Sequence, residues 1–207
     1  MYYNGTCEVK SIKVYNFAGT ITMHDIHTAM PWGNTIDVVT ITGHTLKLVL
    51  EHSVKRYKTN DPDPSGRFLQ VSGLTLTYDI SKPVGHRLVS GYTGHGDSLM
   101  AIQDEAYYQI SMPSYLAKGG DNFKMIPDQT ISYKNTGFLD NDLLVKYLRK
   151  KNPLKLPIAD RIVVNGNNSG GFTCGASGQL FDKNSNQFVK LFEMFDSLLC
   201  FLMYTFG

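Results

Sequence analysis

The stretch that organises the sequence is ISMPSYLAKGGDNF, residues 110–123, where a strand-like segment ends at a proline and two glycines precede one carboxylate. Glycine reaches backbone conformations that other residues avoid and lets a ligand approach the main chain, which is a role for Gly119 and Gly120. Asp121, directly after that turn, can accept hydrogen bonds from two neighbouring hydroxyls, as a ribose presents them. Tyr115 adds a flat ring on which a nucleobase can stack. The pattern indicates part of a nucleoside-binding clamp.

A second aromatic residue suited to such a clamp lies upstream, in the segment GRFLQVSG of residues 66–73. A base held between Phe68 and Tyr115 would gain roughly 1–3 kcal/mol from stacking. Both rings also fit as core residues of strands, and Asp121 also fits as an ordinary turn residue. The residues alone leave both interpretations open.

Four segments resemble, in order and spacing, the C-terminal domain of ecto-5'-nucleotidases and their secreted apyrase relatives. These segments are Met30–Asp37, Leu50–Tyr57, Phe68–Gly73 and Tyr115–Phe123, and the resemblance extends from about Gly19 to Ile162. It implies that Phe68 and Tyr115 sandwich the nucleobase and that Asp121 holds the ribose hydroxyls. Gly119 and Gly120 then shape the turn that carries Asp121.

The resemblance also implies where the chemistry of such an enzyme resides. In the family, two divalent ions (zinc, or calcium or magnesium) activate water and hold the phosphate in a separate N-terminal metallophosphoesterase domain. This sequence lacks that cluster of Asp, His and Asn, so we assign it no catalytic residue and no metal ligand. We expect a nucleotide-specificity domain whose catalytic N-terminal domain is missing, binding nucleoside without turnover. The alternatives are a non-catalytic adenosine- or nucleotide-binding module and an inert remnant.

Length and composition favour a single globular domain. The chain has 207 residues, 42% of them hydrophobic and 18% charged, and can bury a substantial core. A net charge of +2 is too small to indicate nucleic-acid binding. Strands alternating irregularly with a few helices predict an α+β fold with a mixed β-sheet. We place this domain at residues 19–164.

Local patterns predict the elements of this domain. Thr22 and Asp25 indicate a helix start, Asp140 a helix cap, and Thr45 the cap of the helix with the clearest apolar face. The apolar face of that helix, with spacings of three and four, consists of Leu46, Val49, Leu50, Ser53, Val54 and Tyr57. Further runs have strand character, and in one of them Leu74, Leu76 and Tyr78 alternate with threonines, as in a half-buried strand. Gly91–Asp97 is predicted to be a flexible loop. The predicted strands are Ile36–Thr42, Leu74–Tyr78, Arg87–Val89, Ala106–Ile110 and Arg161–Val164.

The two ends of the chain differ from the predicted domain. Residues 1–18 lack the glycine run and the arginine that contact base and phosphate in the family, so those roles are not carried over. Residues 165–207 combine a polar linker with an apolar tail, which fits a GPI-anchor signal, a docked amphipathic helix or an artefactual end. Met1 is not followed by a signal peptide, so we expect that it is not the natural start of a complete protein.

Other residue patterns are less informative. His24 and His27 read as a surface helix rather than a metal pair, and no histidine forms a hydrolytic triad with a nucleophile. Cys7, Cys174 and Cys200 match no zinc or redox spacing and leave disulfide pairing open. From the family we expect an extracellular location, secreted or GPI-anchored at the cell surface, and a homodimer as an assembly to test.

Overall fold

A computed structural model describes residues 21–58, 66–94, 98–151 and 161–166, together with the backbone of 172–173. The helices are α1 (Met23–Ala29), α2 (Gly43–Ser53), α3 (Ser114–Ala117), α4 (Met125–Gln129) and α5 (Asp140–Lys150). The strands are β1 (Thr35–Thr42), β2 (Leu74–Asp79), β3 (Leu88–Thr93), β4 (Met100–Ala101), β5 (Tyr107–Pro113), β6 (Ser132–Leu139), β7 (Ile162–Asn165) and β8 (Phe172–Thr173). None of the described helices has the length and apolar composition needed to cross a membrane.

The strands form two sheets, which confirms the α+β class. One sheet is antiparallel with the order β5-β1-β6, and the other has the order β4-β3-β2-β7-β8. The second is the mixed sheet, because β2 pairs with β7 in parallel and with β3 antiparallel. The sequence predicted a mixed sheet but not the division of the strands between two sheets.

One hydrophobic core joins the two sheets through α2. Val39 and Ile41 of β1 and Leu76 and Tyr78 of β2 are completely buried in the same cluster. Helix α2 contributes to it the face predicted from its apolar spacing. The buried residues of that face are Leu46, Val49, Leu50, Ser53 and Val54. The alternation of β2, with Leu74, Leu76 and Tyr78 buried, is likewise as predicted.

The helix starts follow local hydrogen bonding. The start of α1 is confirmed, since Thr22 and Asp25 form a reciprocal capping box. The predicted cap of α2 is wrong: Gly43 is already helical, and the extended Thr42 accepts the bond from the Thr45 backbone N–H. The cap prediction for α5 is also wrong. Asp140 is the first helical residue, and its backbone N–H donates to Asn34 O at 2.9 Å.

Two strand assignments depend on pairing that the sequence did not reveal. Strand β3 continues to Thr93, so Gly91–Thr93 belongs to a strand and not to the predicted loop, because these residues pair with β2 on one side and Tyr92 and Thr93 pair with β4 on the other. Strand β6 was not predicted at all. Its eight residues are almost all exposed, and they pair with β1 along one edge.

A buried aspartate holds β6 against β1. Asp37 has no exposed surface, and Tyr133 Oη of β6 donates to its Oδ2 at 2.5 Å. Its Oδ1 accepts from Thr35 Oγ1 at 2.8 Å and from Asn135 Nδ2 at 3.0 Å. Three donors therefore compensate the desolvation of this carboxylate. The hydrogen bond to Asp37 also raises the pKa of Tyr133, because it favours the protonated phenol.

Candidate functional site

The candidate site begins where β5 leaves the antiparallel sheet at Pro113. The short helix α3 follows, and Gly119 ends it in the left-handed conformation, with φ 85° and ψ 21°. The next turn contains two further residues at positive φ, Asp121 at 49° and Asn122 at 66°. Glycine, Asp and Asn are the residues that adopt this region most readily. The sequence GGDN therefore matches the backbone that it forms.

The turn brings together Tyr115 and Asp121, two of the residues that the sequence analysis assigns to one site. Tyr115 Oη donates to Asp121 Oδ1 at 3.2 Å and accepts from the Asp121 backbone N–H at 3.2 Å. The tyrosine ring lies against Gly120, where an added Cβ would be 2.3 Å from Tyr115 Cε1. The absence of a side chain at Gly120 is thus what allows the ring to take this position. Tyr115 is 40% exposed and available to solvent on the remaining surface.

Phe68 lies mostly inside the protein. It is 7% exposed, and its ring centroid is 5.3 Å from that of Tyr57 and 6.2 Å from that of Tyr78. Both neighbouring rings are tilted relative to it, at 45° and 60°. Phe68 therefore has a packing role in the core, and only a small part of its surface faces outward. The core interpretation, which the residues left open, thus holds for most of the ring, and the base-stacking role of Phe68 stays a prediction.

His52, at the C-terminal end of α2, also reaches this turn and was not predicted as part of the site. Its Nε2 lies 3.2 Å from the Asp121 backbone oxygen, and its ring meets Phe123 edge-on with a centroid distance of 4.6 Å. A carbonyl oxygen can only accept, so His52 Nε2 carries the hydrogen. The one sequence signal for His52 was its place in the segment Leu50–Tyr57, which carries the family resemblance.

The surroundings of His52 disfavour its charged form. Burial is the largest cause that lowers its pKa from the ordinary value of 6.5. The hydrogen bond to Asp121 O opposes this effect, while the positive charges of Arg67, Lys55 and Arg56 lower the pKa further. His52 is therefore a neutral donor at physiological pH.

The described part of the chain contains no group of three or more His, Cys, Asp or Glu side chains that could hold a metal ion. His24 and His27 are exposed on α1, and His27 Nδ1 lies 3.4 Å from Asn141 Nδ2. The three cysteines, residues 1–20 and the tail from 174 to 207 lie outside the described residues. The arrangement at Tyr115 and Asp121 offers an aromatic surface and hydrogen-bond acceptors, which suit recognition of a nucleoside.

Comparisons with known proteins point to one family. The family model "5'-nucleotidase, C-terminal domain" matches residues 5–128. The chain is 34% identical over 167 residues to 5'-nucleotidase of Bos taurus, covering 79% of this chain and 28% of that protein. It is 32% identical over 136 residues to a snake venom 5'-nucleotidase of Macrovipera lebetinus, covering 64% of this chain and 32% of the relative.

A solved structure shares the fold. The 5'-nucleotidase precursor from Thermus thermophilus has a TM-score of 0.65 and 30% sequence identity. The match covers 70% of this chain and 28% of that one, so the chain spans about a quarter to a third of the relatives that it matches. The matched family model covers more than half of the 207 residues. The chain therefore belongs to the 5'-nucleotidase C-terminal domain family.

Proposed function

We propose that the chain is the nucleotide-binding and specificity domain of a 5'-nucleotidase or apyrase that hydrolyses extracellular AMP, ADP or ATP to nucleoside and phosphate. The observation that carries this proposal is the contact of Tyr115 with Gly120 and Asp121 on the left-handed turn. It fixes an aromatic ring and a carboxylate relative to each other. A nucleoside likewise presents its base and its ribose hydroxyls at a fixed separation.

Asp121 supplies the ribose contact in this proposal. Each carboxylate oxygen has two lone pairs, so the bond from Tyr115 Oη leaves acceptor capacity for the 2'- and 3'-hydroxyls. Hydrogen bonds to an ionised acceptor are stronger than those between neutral groups. Because Tyr115 holds the carboxylate in place, little side-chain entropy is lost when the ribose binds.

Tyr115 and Phe68 contribute unequally to the base subsite. Tyr115 has an exposed ring. The ring of Phe68 packs against Tyr57 and Tyr78, and only a small part of it is exposed. The base would stack on Tyr115 and rest against Phe68. Substitution of Tyr115 should accordingly change affinity, while substitution of Phe68 should also change stability.

Hydrolysis would take place at divalent metal ions, zinc or calcium or magnesium, held in a separate N-terminal metallophosphoesterase domain of such an enzyme. The residues of this chain would bind and orient the nucleoside part of the substrate. An extracellular location belongs to the same proposal and is supported by the likeness to a protein named as a venom 5'-nucleotidase. Metal-dependent phosphate release by the purified 207-residue chain would contradict this division of roles.

Calorimetric titration of the full chain with adenosine and AMP tests the proposal. Tyr115→Leu should weaken adenosine binding roughly five- to a hundredfold, the range expected from loss of base stacking. Tyr107→Leu is the matched control, since Tyr107 is 61% exposed on the preceding strand and lies outside the proposed site. Equal losses in the two variants, or unchanged affinity in Tyr115→Leu, would contradict the proposal.

A comparison of ligands tests Asp121 separately. The full chain should bind 2',3'-dideoxyadenosine more weakly than adenosine, because the dideoxy compound offers no ribose hydroxyl to Asp121. Asp121→Ala should bind the two ligands about equally. If the variant still prefers adenosine as strongly as the unmodified chain does, another residue recognises the ribose.

A further inference from the structure

His52 connects helix α2 to the turn that carries Asp121, across 69 positions in the sequence. Its ring packs against Phe123, which is almost completely buried, with an interplanar angle of 69°. This contact fixes the plane of the imidazole, and Nε2 then lies 3.2 Å from the Asp121 carbonyl oxygen. The end of α2 and the proposed ribose-binding turn are thus held together by one oriented side chain.

The conformation of Asp121 requires such support. At φ 49° and ψ 27° it occupies the left-handed region, which aspartate tolerates better than most residues but less well than glycine. Asn122 follows at φ 66°. Residues in this region persist where the surrounding structure determines their conformation.

Two hydrogen bonds hold Asp121 from opposite sides. Tyr115 Oη accepts from its backbone N–H, and His52 Nε2 donates to its backbone carbonyl. The first bond restrains the peptide before the Asp121 Cα, and the second restrains the peptide after it. Together they fix the backbone of Asp121, and the bond from Tyr115 Oη to Oδ1 orients the carboxylate on it.

We propose that His52 is a positioning residue for nucleoside binding, whose Nε2–H holds the Asp121 carbonyl and so keeps the carboxylate directed at the ribose hydroxyls. The inference rests on the nucleoside site proposed above and adds to it a residue that touches no ligand. Burial, with the positive charges of Arg67, Lys55 and Arg56, lowers the pKa of His52 and so favours the neutral ring. The neutral ring then has its single hydrogen on Nε2.

Two substitutions separate the hydrogen bond from the packing of the ring. His52→Gln retains an amide N–H donor at a reach similar to that of Nε2, whereas His52→Leu fills the space without a donor. In calorimetric titrations of the full chain, His52→Leu should bind adenosine roughly tenfold more weakly, and His52→Gln should stay within about threefold of the unmodified chain. His44→Leu, at the exposed N-terminal end of the same helix, is the matched control and should bind normally.

A double substitution shows whether His52 acts through Asp121. Once Asp121→Ala has removed the carboxylate, adding His52→Leu should cause no further loss of affinity. The same tenfold loss in the Asp121→Ala background would overturn the proposal, and so would a His52→Gln variant as weak as His52→Leu. A purely structural effect of His52 would not be rescued by Gln.

The outcomes distinguish this inference from the nucleoside site on which it rests. If the unmodified chain binds adenosine in a way that depends on Asp121, and His52→Leu binds equally well, only the positioning role is wrong. If the unmodified chain does not bind adenosine, or binds it independently of Asp121, the nucleoside site and the positioning role are both wrong.

Discussion

Gly120→Ala should disable the proposed base subsite while leaving the fold intact. Gly120 lies outside the left-handed region, so its backbone accepts alanine. The added Cβ would be 2.3 Å from Tyr115 Cε1 and 2.5 Å from both Cδ1 and Cζ. Carbon atoms do not approach so closely, so the ring of Tyr115 has to move, and its exposed position allows it to do so.

The size of the effect follows from what the displaced ring loses. Its stacking on a base is worth roughly 1–3 kcal/mol, and its bond to Asp121 about 0.5–1.5 kcal/mol. We expect a loss of about 2 kcal/mol in adenosine binding, roughly thirtyfold in Kd. The free energy of unfolding should change by less than about 1 kcal/mol, because alanine reduces the entropy of the unfolded chain and the displaced ring is largely solvated.

Calorimetry on four proteins tests this reasoning: the unmodified chain, Gly120→Ala, Tyr115→Ala and the double variant. Removal of the ring also removes the clash, so Gly120→Ala should have almost no effect on affinity in the Tyr115→Ala background. Urea unfolding of the same proteins measures stability. An affinity for adenosine unchanged by Gly120→Ala, or an equal loss in both backgrounds, would refute the proposed contact between the Gly120 backbone and the Tyr115 ring.

Three further predictions concern stability, measured by urea unfolding. Gly43→Ala would place a Cβ 2.0 Å from the Gln103 carbonyl oxygen, and the backbone cannot move aside as a side chain can. We expect the free energy of unfolding to fall by about 2 kcal/mol or more, and an unchanged urea midpoint would contradict this. Asp37→Ala should lower the free energy of unfolding by about 2–4 kcal/mol, since it removes the acceptor of three hydrogen bonds, two of them between β1 and β6. A loss below about 0.5 kcal/mol would mean that these bonds do not stabilise the pairing of the two strands. The pKa of His52 is lower in the folded chain than in the unfolded chain, so on acidification the unfolded chain binds a proton at His52 first. The free energy of unfolding should therefore begin to fall as the pH drops below about 6.5, and it should level off below the pKa of His52 in the folded chain. The His52→Gln variant should lack this part of the pH dependence. If the unmodified chain and the variant show the same dependence of stability on pH, the pKa of His52 is not lowered on folding.

Several elements follow from local sequence alone. The capping residues Thr22 and Asp25 predicted the start of α1, the alternation of β2 predicted its buried face, and the three- and four-residue spacing in α2 predicted which side meets the core. These features can be predicted because each depends on residues close together in the sequence. A capping box forms between residues three positions apart, and the side-chain period of a helix or strand repeats every few residues. The wrong cap at the start of α2 was also a local matter, since Thr42 and Thr45 are the same residue type and the helical backbone of Gly43 makes Thr42 the cap.

Pairing between strands that are distant in the sequence could not be predicted from such local patterns. Strand β6 carries polar residues along most of its length, because it is an edge strand held through Asp37 and not through a buried face. The extension of β3 to Thr93 likewise follows from pairing, with β2 on one side and the short strand β4 on the other. Neither strand has the apolar alternation from which strands are predicted, since neither is buried on one whole face.

The same distinction applies to the candidate site. The turn follows from the local sequence, because Gly119, Asp121 and Asn122 are residue types that a left-handed backbone accepts, and Tyr115 lies within reach of that turn along the chain. Only the tertiary structure decided that Phe68 is held largely inside the core and that His52, far away along the chain, donates to Asp121. The physical reason is that a turn is determined by the conformational preferences of adjacent residues, whereas burial and long-range hydrogen bonds exist only once α2 and the two sheets have packed together.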